Sequence, residues 1–257
     1  MCFDLDSQPP ISPIAGAAVD GQRVSLTAAD GTRFAAFDAQ PESPTGAGVL
    51  IFPDVRGLHH FFEELALRFA ERGINAVAVD YFARTAPNDD RGEGFDYQPH
   101  VAQTQYEHLM ADAKAARERL VDHGVGRLFT MGFCMGGRLA FVAGTRPELD
   151  VTGAIGFYGW PVGPGRGGTP APADVAGEMT SSVLAIFGGA DQGIAPEAVQ
   201  QFADALDTAG VDNEVVTYPD APHSFFDRKA DQFAAESDDA WLKVLEFIER
   251  KAASADS

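Results

Sequence analysis

The chain has 257 residues, of which 45% are hydrophobic, so its length and composition suit one α/β domain of ordinary size. Its 38 acidic and 19 basic residues give a formal net charge of −19, which argues against nucleic acid and anionic membranes as partners. With two cysteines that form no disulfide framework, an acidic N-terminus and no apolar run of membrane-spanning length, we expect a cytoplasmic protein with reduced thiols.

The N-terminal part of the chain predicts an extended arm followed by a hairpin. Residues 1–20 are Pro-rich and show little periodicity, which is typical of an arm. Residues 23–27 and 32–37 flank a turn at Asp30 and Gly31. They predict an antiparallel hairpin at one edge of a sheet.

Strand-like and helix-like segments alternate in the rest of the chain. The predicted strands are short, mostly apolar runs at residues 46–52, 74–79, 127–131, 151–158, 182–187 and 213–218. The predicted helices lie at residues 62–73, 101–122, 138–145, 196–209 and 239–251. This order predicts an α/β fold with a mostly parallel, doubly wound sheet that has an antiparallel start.

One low-complexity stretch interrupts this alternation. Residues 159–177 are rich in Gly, Pro and Ala, and they are too many for an ordinary connection between two elements. Loops of this length are often functional or disordered. A lid over a binding site and a disordered insert therefore both stay open.

Residues 132–137 have the sequence Gly-Phe-Cys-Met-Gly-Gly and lie between a predicted strand and a predicted helix. The spacing is that of a nucleophile elbow, G-x-S-x-G, with cysteine in place of serine. Glycine neighbours let the strand and the helix approach closely around a strained turn. We expect the turn to point the Cys134 side chain at solvent, at a helix N-terminus that favours the thiolate. Taken alone, Cys134 has an alternative interpretation as a buried core residue.

Two further candidates follow predicted strands. Asp191 lies in a Gly-rich turn after the strand at 182–187, and His223 lies on the loop after the strand at 213–218. Alone, such an Asp more often caps backbone donors, and such a His is more often solvated. The order nucleophile, acid, histidine, with each residue after a strand, predicts a Cys-His-Asp triad.

These motifs resemble those of the dienelactone hydrolase family, cysteine-dependent members of the α/β-hydrolase fold. The resemblance extends over nearly the whole chain and rests on the Cys134 elbow, the Asp191 turn and His-Ser-Phe-Phe at 223–226. It also includes Pro-Asp-Val-Arg-Gly at 53–57 and Asp-Tyr-Phe-Ala-Arg at 80–84. The resemblance implies an α/β-hydrolase fold and a carboxylic-ester hydrolase of the carboxymethylenebutenolidase type.

The resemblance also implies a role for each candidate residue. Cys134 would attack the ester carbonyl, and His223 would act as general base and then as general acid. Asp191 would hold the imidazole in the required tautomer. The backbone N–H groups of Met135 and Val55 would form the oxyanion hole.

Three charged residues have two interpretations each. Asp54 stands where relatives carry an acid that contacts the resting thiol, and it either does so here or caps the following turn. Family members bind a substrate carboxylate with arginines, one of them four residues after the catalytic histidine. That position is Asp227 in this chain, and the arginines on offer are Arg228 and Arg91. Both are candidates for substrate binding, with a role as surface charges as the alternative.

Three functions stay open at this point. The leading hypothesis is hydrolysis of a small lactone or enol ester through a thiol acyl-enzyme. The second keeps the triad for simple esters or acyl transfer, and the third is a non-catalytic relative that binds a small molecule or a partner protein. The oligomeric state also stays open, with a monomer favoured.

The sequence predicts neither a cofactor nor a metal ion. No loop has the pattern that cradles phosphates, because Gly188-Gly189 lacks the context of a dinucleotide fingerprint. His59 and His60 do not form a metal site, since adjacent residues on a helix point apart and no further ligand recurs nearby.

Overall fold

A computed structural model describes residues 7–254 of the chain. Cys2 and the first six residues of the predicted arm lie outside the described residues. The eight strands are β1 (Val19–Thr27), β2 (Arg33–Pro41), β3 (Ala47–Phe52), β4 (Asn75–Val79), β5 (Arg127–Phe133), β6 (Val151–Phe157), β7 (Ser182–Gly188) and β8 (Asn213–Tyr218). The helices are α1 (His60–Ala70), α2 (Gln98–Val101), α3 (Tyr106–Asp122), α4 (Met135–Ala143), α5 (Pro196–Ala209) and α6 (Ala234–Ser254).

The strands form one sheet in the order β1-β2-β4-β3-β5-β6-β7-β8. The first two strands form the predicted antiparallel hairpin, and β2 also pairs antiparallel with β4. All pairs from β4 to β8 are parallel. The predicted α/β class, with a mostly parallel sheet and an antiparallel start, is confirmed.

The core lies on both faces of the sheet. Along β3, Val49 and Ile51 belong to one cluster of buried side chains, and Leu50 and Phe52 belong to another. Because successive side chains of a strand point to opposite faces, the two clusters lie on opposite sides of the sheet. The first cluster includes residues of α1, α5 and α6, and the second includes residues of α3 and α4. The continuous apolar runs thus become strands that are covered on both faces.

The long helix predicted at 101–122 is wrong at its start. The short helix α2 ends at Val101, and α3 begins only at Tyr106. The hydroxyl of Thr104 donates to the carbonyl oxygen of Val101 at 2.8 Å, and Gln105 is extended, with φ −126° and ψ 134°. A side-chain hydroxyl that binds a nearby carbonyl in this way competes with the helical ladder.

The Gly-rich stretch at 159–177 follows a defined path. It contains two short turns of 3₁₀ helix, Arg166–Gly168 and Ala176–Glu178. The side chain of Arg138, in α4, donates hydrogen bonds to carbonyl groups of this stretch. The stretch therefore packs on the helix that follows Cys134.

Candidate active site

Cys134 lies in the sharp turn between β5 and α4. Its backbone has φ 55° and ψ −114°, a conformation that is sparsely populated outside glycine. The neighbouring glycines are required sterically, because a Cβ on Gly132 would lie 2.0 Å from the carbonyl oxygen of Gly136. A Cβ on Gly136 would lie 2.0 Å from the carbonyl oxygen of Phe52. The structure therefore has the strand–turn–helix geometry that the motif predicts.

The Cys134 side chain is buried, with 6% of the residue exposed. The expectation that it points at open solvent is wrong, because the side chain faces two adjoining cavities instead. The backbone N–H of Cys134 donates to the carbonyl oxygen of Phe157 at 3.0 Å, which fixes the turn against the end of β6. Burial at a cavity wall distinguishes Cys134 from a cysteine that only fills the core.

Asp191 and His223 are joined by a short hydrogen bond. The Nδ1 atom of His223 lies 2.6 Å from Oδ2 of Asp191, and a carboxylate accepts, so Nδ1 is the donor. The other oxygen, Oδ1, accepts from the N–H groups of Gly193 at 2.8 Å and Ile194 at 3.3 Å. Burial alone would raise the pKa of Asp191, but the bond from His223 and these backbone donors hold the pKa below its ordinary value. Asp191 is therefore held as a carboxylate, and it orients the imidazole through Nδ1.

Two aromatic rings hold the imidazole in place. The ring of Tyr158 lies 4.7 Å from that of His223, and the ring of Trp160 lies 4.9 Å from it, between ring centroids. The indole N–H of Trp160 donates to the carbonyl oxygen of Gly193 at 3.0 Å. The same tryptophan thus contacts the histidine and the loop of the acid, and no sequence motif had indicated it.

An outer cavity of about 500 Å³ brings most of the predicted residues together. Cys134, Asp191, His223, Val55 and Arg228 all contribute to its wall. They come from loops at the carboxyl ends of parallel strands, which meet at one edge of the sheet. An inner chamber of about 240 Å³ adjoins Cys134 and Val55 and includes Met135 in its wall.

Asp54 is fully buried and caps the turn after β3. Its Oδ1 atom accepts from the N–H of Arg56 at 2.8 Å, so the capping interpretation describes a contact that exists. Tyr81 is also buried, and its hydroxyl donates to the carbonyl oxygen of Pro53 at 2.6 Å. Burial, followed by the charges of Asp54 and Asp80, raises the pKa of Tyr81 well above its ordinary value. A contact between Asp54 and the resting thiol stays a prediction.

Arg91 is not brought to the site. Its Nε and Nη2 atoms donate to the two carboxylate oxygens of Asp80, at 2.8 Å and 2.7 Å. The guanidinium also stacks on the ring of Phe95, at 4.4 Å from the centroid. With 2% of the residue exposed, the interpretation of Arg91 as a surface charge is wrong. Its donors hold the loop after β4 and are turned away from the cavities that Cys134 faces.

Asp227 and Tyr158 form a buried pair behind His223. The hydroxyl of Tyr158 donates to Oδ2 of Asp227 at 2.9 Å, and the N–H of Arg228 donates to Oδ1. Burial raises the pKa of Asp227 well above its ordinary value, and the charge of Asp54 adds to this effect. The sequence carried one signal for the pair, namely an acid where the family has an arginine.

No metal site or membrane span is present in the part of the chain that the structure describes. Across residues 7–254, no three or more His, Cys, Asp or Glu side chains are grouped as metal ligands. No helix in the same range is long and apolar enough to cross a bilayer. His59 is buried at the start of α1, and burial lowers its pKa to about 3, with the charges of Arg56 and His60 as smaller causes.

The chain is similar to hydrolases of one family. A protein of Escherichia coli (strain K12), provisionally named carboxymethylenebutenolidase, is 28% identical over 256 residues, which cover 94% of this chain and 94% of the relative. The crystal structure of a protein from Klebsiella pneumoniae subsp. pneumoniae MGH 78578, provisionally described as a dienelactone hydrolase, has a TM-score of 0.79 and 26% identity. The match covers 90% of this chain and 99% of that one.

A second solved structure extends this similarity. It is a dienelactone hydrolase-like promiscuous phosphotriesterase from metagenomic libraries, with a TM-score of 0.70, 25% identity and coverage of 91% of this chain and 99% of that one. The predicted α/β-hydrolase fold is confirmed by these structures. The model of the dienelactone hydrolase family matches residues 34–252, which is most of the chain. On this match, the chain belongs to the dienelactone hydrolase family and is a hydrolase.

Proposed function

We propose that the protein hydrolyses a small lactone or enol ester through a thiol acyl-enzyme. The observation that carries the proposal is the hydrogen bond of 2.6 Å between His223 and Asp191, in the wall of the same cavity that Cys134 faces. The relatives provisionally named carboxymethylenebutenolidases and dienelactone hydrolase support a lactone as the substrate class. In the proposed reaction, three side chains act in sequence.

Acylation begins with the transfer of the Cys134 thiol proton to Nε2 of His223. The sulfur then attacks the ester carbonyl, and the C=O electron pair moves onto oxygen to form a tetrahedral oxyanion. Asp191 accepts from Nδ1 and stabilises the imidazolium that forms. When the oxyanion collapses, the bond to the leaving oxygen breaks, and Nε2 gives its proton to that oxygen.

The oxyanion requires donors that point into the cavity. The first N–H groups of a helix have no acceptor within the helix, and Met135 is the first residue of α4. Val55 follows β3 in the adjacent loop, and both residues contribute to the cavity wall at Cys134. Their N–H groups are the proposed oxyanion hole. One such donor is typically worth about 2.7–4 kcal/mol in the transition state.

Deacylation repeats these steps with water. Nε2 of His223 takes a proton from a water molecule in the outer cavity, and the hydroxide attacks the thioester carbonyl. The thiolate leaves and receives the proton back from His223, which regenerates the enzyme. For a lactone, the hydroxyl formed in acylation is part of the acyl group, so this step releases a single hydroxy acid.

The proposal is tested by replacing the nucleophile and trapping the intermediate. Hydrolysis of dienelactone, other lactones and a chromogenic acetate is measured for the wild type, Cys134→Ala and Cys134→Ser. We expect Cys134→Ala to lose about 10³-fold or more in kcat/KM, since the nucleophile is removed while binding remains. Intact-mass spectrometry after rapid acid quench should detect the acyl adduct in the wild type and not in Cys134→Ala, whereas Cys134→Ser keeps a hydroxyl that can be acylated.

Cys2→Ala is the matched control, because Cys2 and Cys134 are the only two cysteines of the chain. This variant should keep both turnover and the adduct. A loss of less than tenfold in Cys134→Ala would contradict the thiol mechanism. Turnover of acetate far above that of every lactone would favour a general esterase. Neither turnover nor an adduct with any substrate would favour a non-catalytic binding protein.

A further inference from the structure

The inner chamber next to Cys134 has a mostly apolar wall. The side chains of Leu109, Met135 and Leu139 form its floor, on α3 and α4, and Trp160 stands between the chamber and the outer cavity. Four residues of the Gly-rich stretch complete the wall: Pro164, Gly165, Arg166 and Thr169. At about 240 Å³, the chamber is larger than a cavity of about 150 Å³ that binds benzene in another protein.

Arg138 holds the segment that forms this wall. A guanidinium has five N–H donors, and in Arg138 each of the five has an acceptor. Nε donates to Pro170 and Nη1 to Trp160 and Val162, while Nη2 donates to Gly163 at 2.6 Å and to Thr169 at 3.1 Å, in every case to a backbone carbonyl oxygen. All donors of the buried cation thus bind backbone carbonyl groups of the wall, and none is left for a bound substrate.

The wall also packs tightly on the chain beneath it. A Cβ on Gly167 would lie 2.0 Å from the carbonyl oxygen of Thr104, in the segment that precedes α3. A Cβ on Gly165 would lie 2.4 Å from the carbonyl oxygen of Thr169. The backbone at both positions is in close contact with its neighbours. The chamber therefore has a well-packed wall on the side of this segment.

The two cavities have different chemical roles because His223 lines only the outer one. The leaving oxygen must be reached by Nε2 of His223, so the alcohol part of an ester lies on the outer side. Arg228 and Lys229 belong to the wall of the same outer cavity. The acyl part then extends from Cys134 in the other direction, into the apolar chamber.

We infer that the inner chamber is an acyl pocket for an uncharged apolar group about the size of one aromatic ring, with Arg138 as the positioning residue that holds its wall. This inference rests on the proposed acyl-enzyme function and names its substrate class. Arg166 is the exposed basic residue of this wall. A carboxylate placed among Leu109, Met135 and Leu139, by contrast, would be an unpaired buried charge, which is costly. A group of two fused rings is at the upper limit of the pocket, because the volume of the pocket is about 1.6 times that of the cavity that binds one benzene ring.

The test uses p-nitrophenyl esters that share one leaving group. The acyl groups are acetyl, butyryl, benzoyl, naphthoyl and hemisuccinyl, and each kcat/KM is divided by the rate constant of that ester with hydroxide. For the wild type, we expect the normalised value to rise about tenfold or more from acetyl to benzoyl, as apolar surface enters the chamber. It should fall again for hemisuccinyl, and naphthoyl should gain little over benzoyl. A flat profile would overturn the inference.

Leu109 provides a pair of variants with opposite expected effects. Leu109→Phe fills the chamber and should lower the benzoyl-to-acetyl ratio about tenfold, and Leu109→Ala should raise the naphthoyl-to-benzoyl ratio. Ratios are independent of the fraction of protein that is folded. Val121→Phe is the matched control, because Val121 is an exposed apolar residue on the same helix. Unchanged ratios in both Leu109 variants would overturn the inference.

Arg138 is tested by Arg138→Lys and Arg138→Met. In both variants, loosening of the wall should raise KM for the benzoyl ester more than it lowers kcat. Arg138→Lys keeps three donors, so its benzoyl-to-acetyl ratio should stay closer to that of the wild type than the ratio of Arg138→Met does. Benzoyl-to-acetyl ratios equal to that of the wild type in both folded variants would show that Arg138 has no positioning role. If no ester gives an adduct on Cys134, the proposed function fails, and the inference fails with it. If adducts form while the ratios are unchanged in both Leu109 variants, only the inference fails.

Discussion

Three residues with positive φ surround the candidate active site: Cys134, Tyr158 and Ser224, at 55°, 38° and 65°. Each such conformation outside glycine typically costs about 1–3 kcal/mol, so the surrounding structure must enforce it. The N–H of Cys134 donates to Phe157 at 3.0 Å, and that of Tyr158 donates to Ile186 at 2.7 Å. The ends of β6 and β7 therefore hold Cys134 and the tyrosine ring that packs on His223.

Asp227 has a raised pKa for which a stability test can be designed. In the folded protein, its carboxyl keeps a proton above pH 3.8, the ordinary pKa at which the unfolded chain releases it. The folded state then binds more protons than the unfolded state, so this residue makes the free energy of unfolding fall as pH rises through that window. Below pH 3.8, Asp227 is protonated in both states and does not lower the free energy of unfolding.

Asp227→Asn removes this titration and keeps the shape of the side chain. The free energy of unfolding of the variant minus that of the wild type should therefore increase as the pH rises above about pH 4. Urea unfolding at several pH values measures the difference. Asp220→Asn is the control, since Asp220 is exposed in the loop before His223. Parallel curves for wild type and Asp227→Asn would show that Asp227 ionises normally in the fold.

Among the connections between elements, the loop after β4 depends on one buried ion pair, between Asp80 and Arg91. Asp80 accepts from both Nε and Nη2 of Arg91, and it also accepts from the N–H groups of Leu58 at 3.1 Å and Phe82 at 2.9 Å. The pair thus connects the loops that follow β3 and β4 to the segment that carries Arg91. Removal of one partner of a buried pair leaves an uncompensated charge.

Arg91→Ala is expected to lower the free energy of unfolding by about 3–5 kcal/mol. Arg23→Ala is the comparison, since Arg23 forms an exposed pair with Glu63 at 2.5 Å, and such pairs contribute about 0–1 kcal/mol. Chemical unfolding of both variants measures the contrast. Stability near that of the wild type, together with a large increase in KM for a carboxylate-bearing ester, would instead restore Arg91 as a substrate ligand.

The elements that the sequence predicted best are the buried strands, because strands covered on both faces have continuous apolar runs. The predicted helix start at 101 was wrong because Val101 ends the separate short helix α2, and the hydroxyl bond from Thr104 to Val101 accompanies the break before α3. Arg138 lies within a helix-forming run, and its five acceptors lie 22 to 32 positions later in the chain. A local pattern cannot reveal such partners.

The same limit applies within the candidate site. That Cys134, Asp191 and His223 lie near one another could be predicted, because each follows a strand, and parallel strands end at the same edge of the sheet. The sequence left the burial of Cys134 as one of two alternatives, and it did not predict the cavity wall beside it, since residues 164–169 and Trp160 come from a Gly-rich stretch without periodicity. The pairing of Arg91 with Asp80 could not be predicted, because several other acidic residues lie closer to Arg91 in the sequence.

At the scale of the whole molecule, the net charge of −19 opposes the local charge of the outer cavity. Arg228 and Lys229 are basic residues of that cavity wall, next to His223. Their field acts at short range, whereas the repulsion of an anionic substrate by the whole surface acts at long range. The Debye length shortens from about 30 Å at 0.01 M salt to about 8 Å at 0.15 M, so salt screens mainly the long-range part.

The sign of the salt effect therefore distinguishes the two fields. If the whole-molecule charge dominates the approach, kcat/KM for an anionic ester should rise severalfold as NaCl increases from about 10 mM to about 150 mM, because screening removes repulsion. A neutral ester with the same leaving group should show no such rise. In Arg228→Ala the rise should be steeper, because less local attraction is lost to screening. A fall in kcat/KM for the anionic ester of the wild type would mean that Arg228 and Lys229 control its approach, and it would support Arg228 as a ligand of a substrate carboxylate.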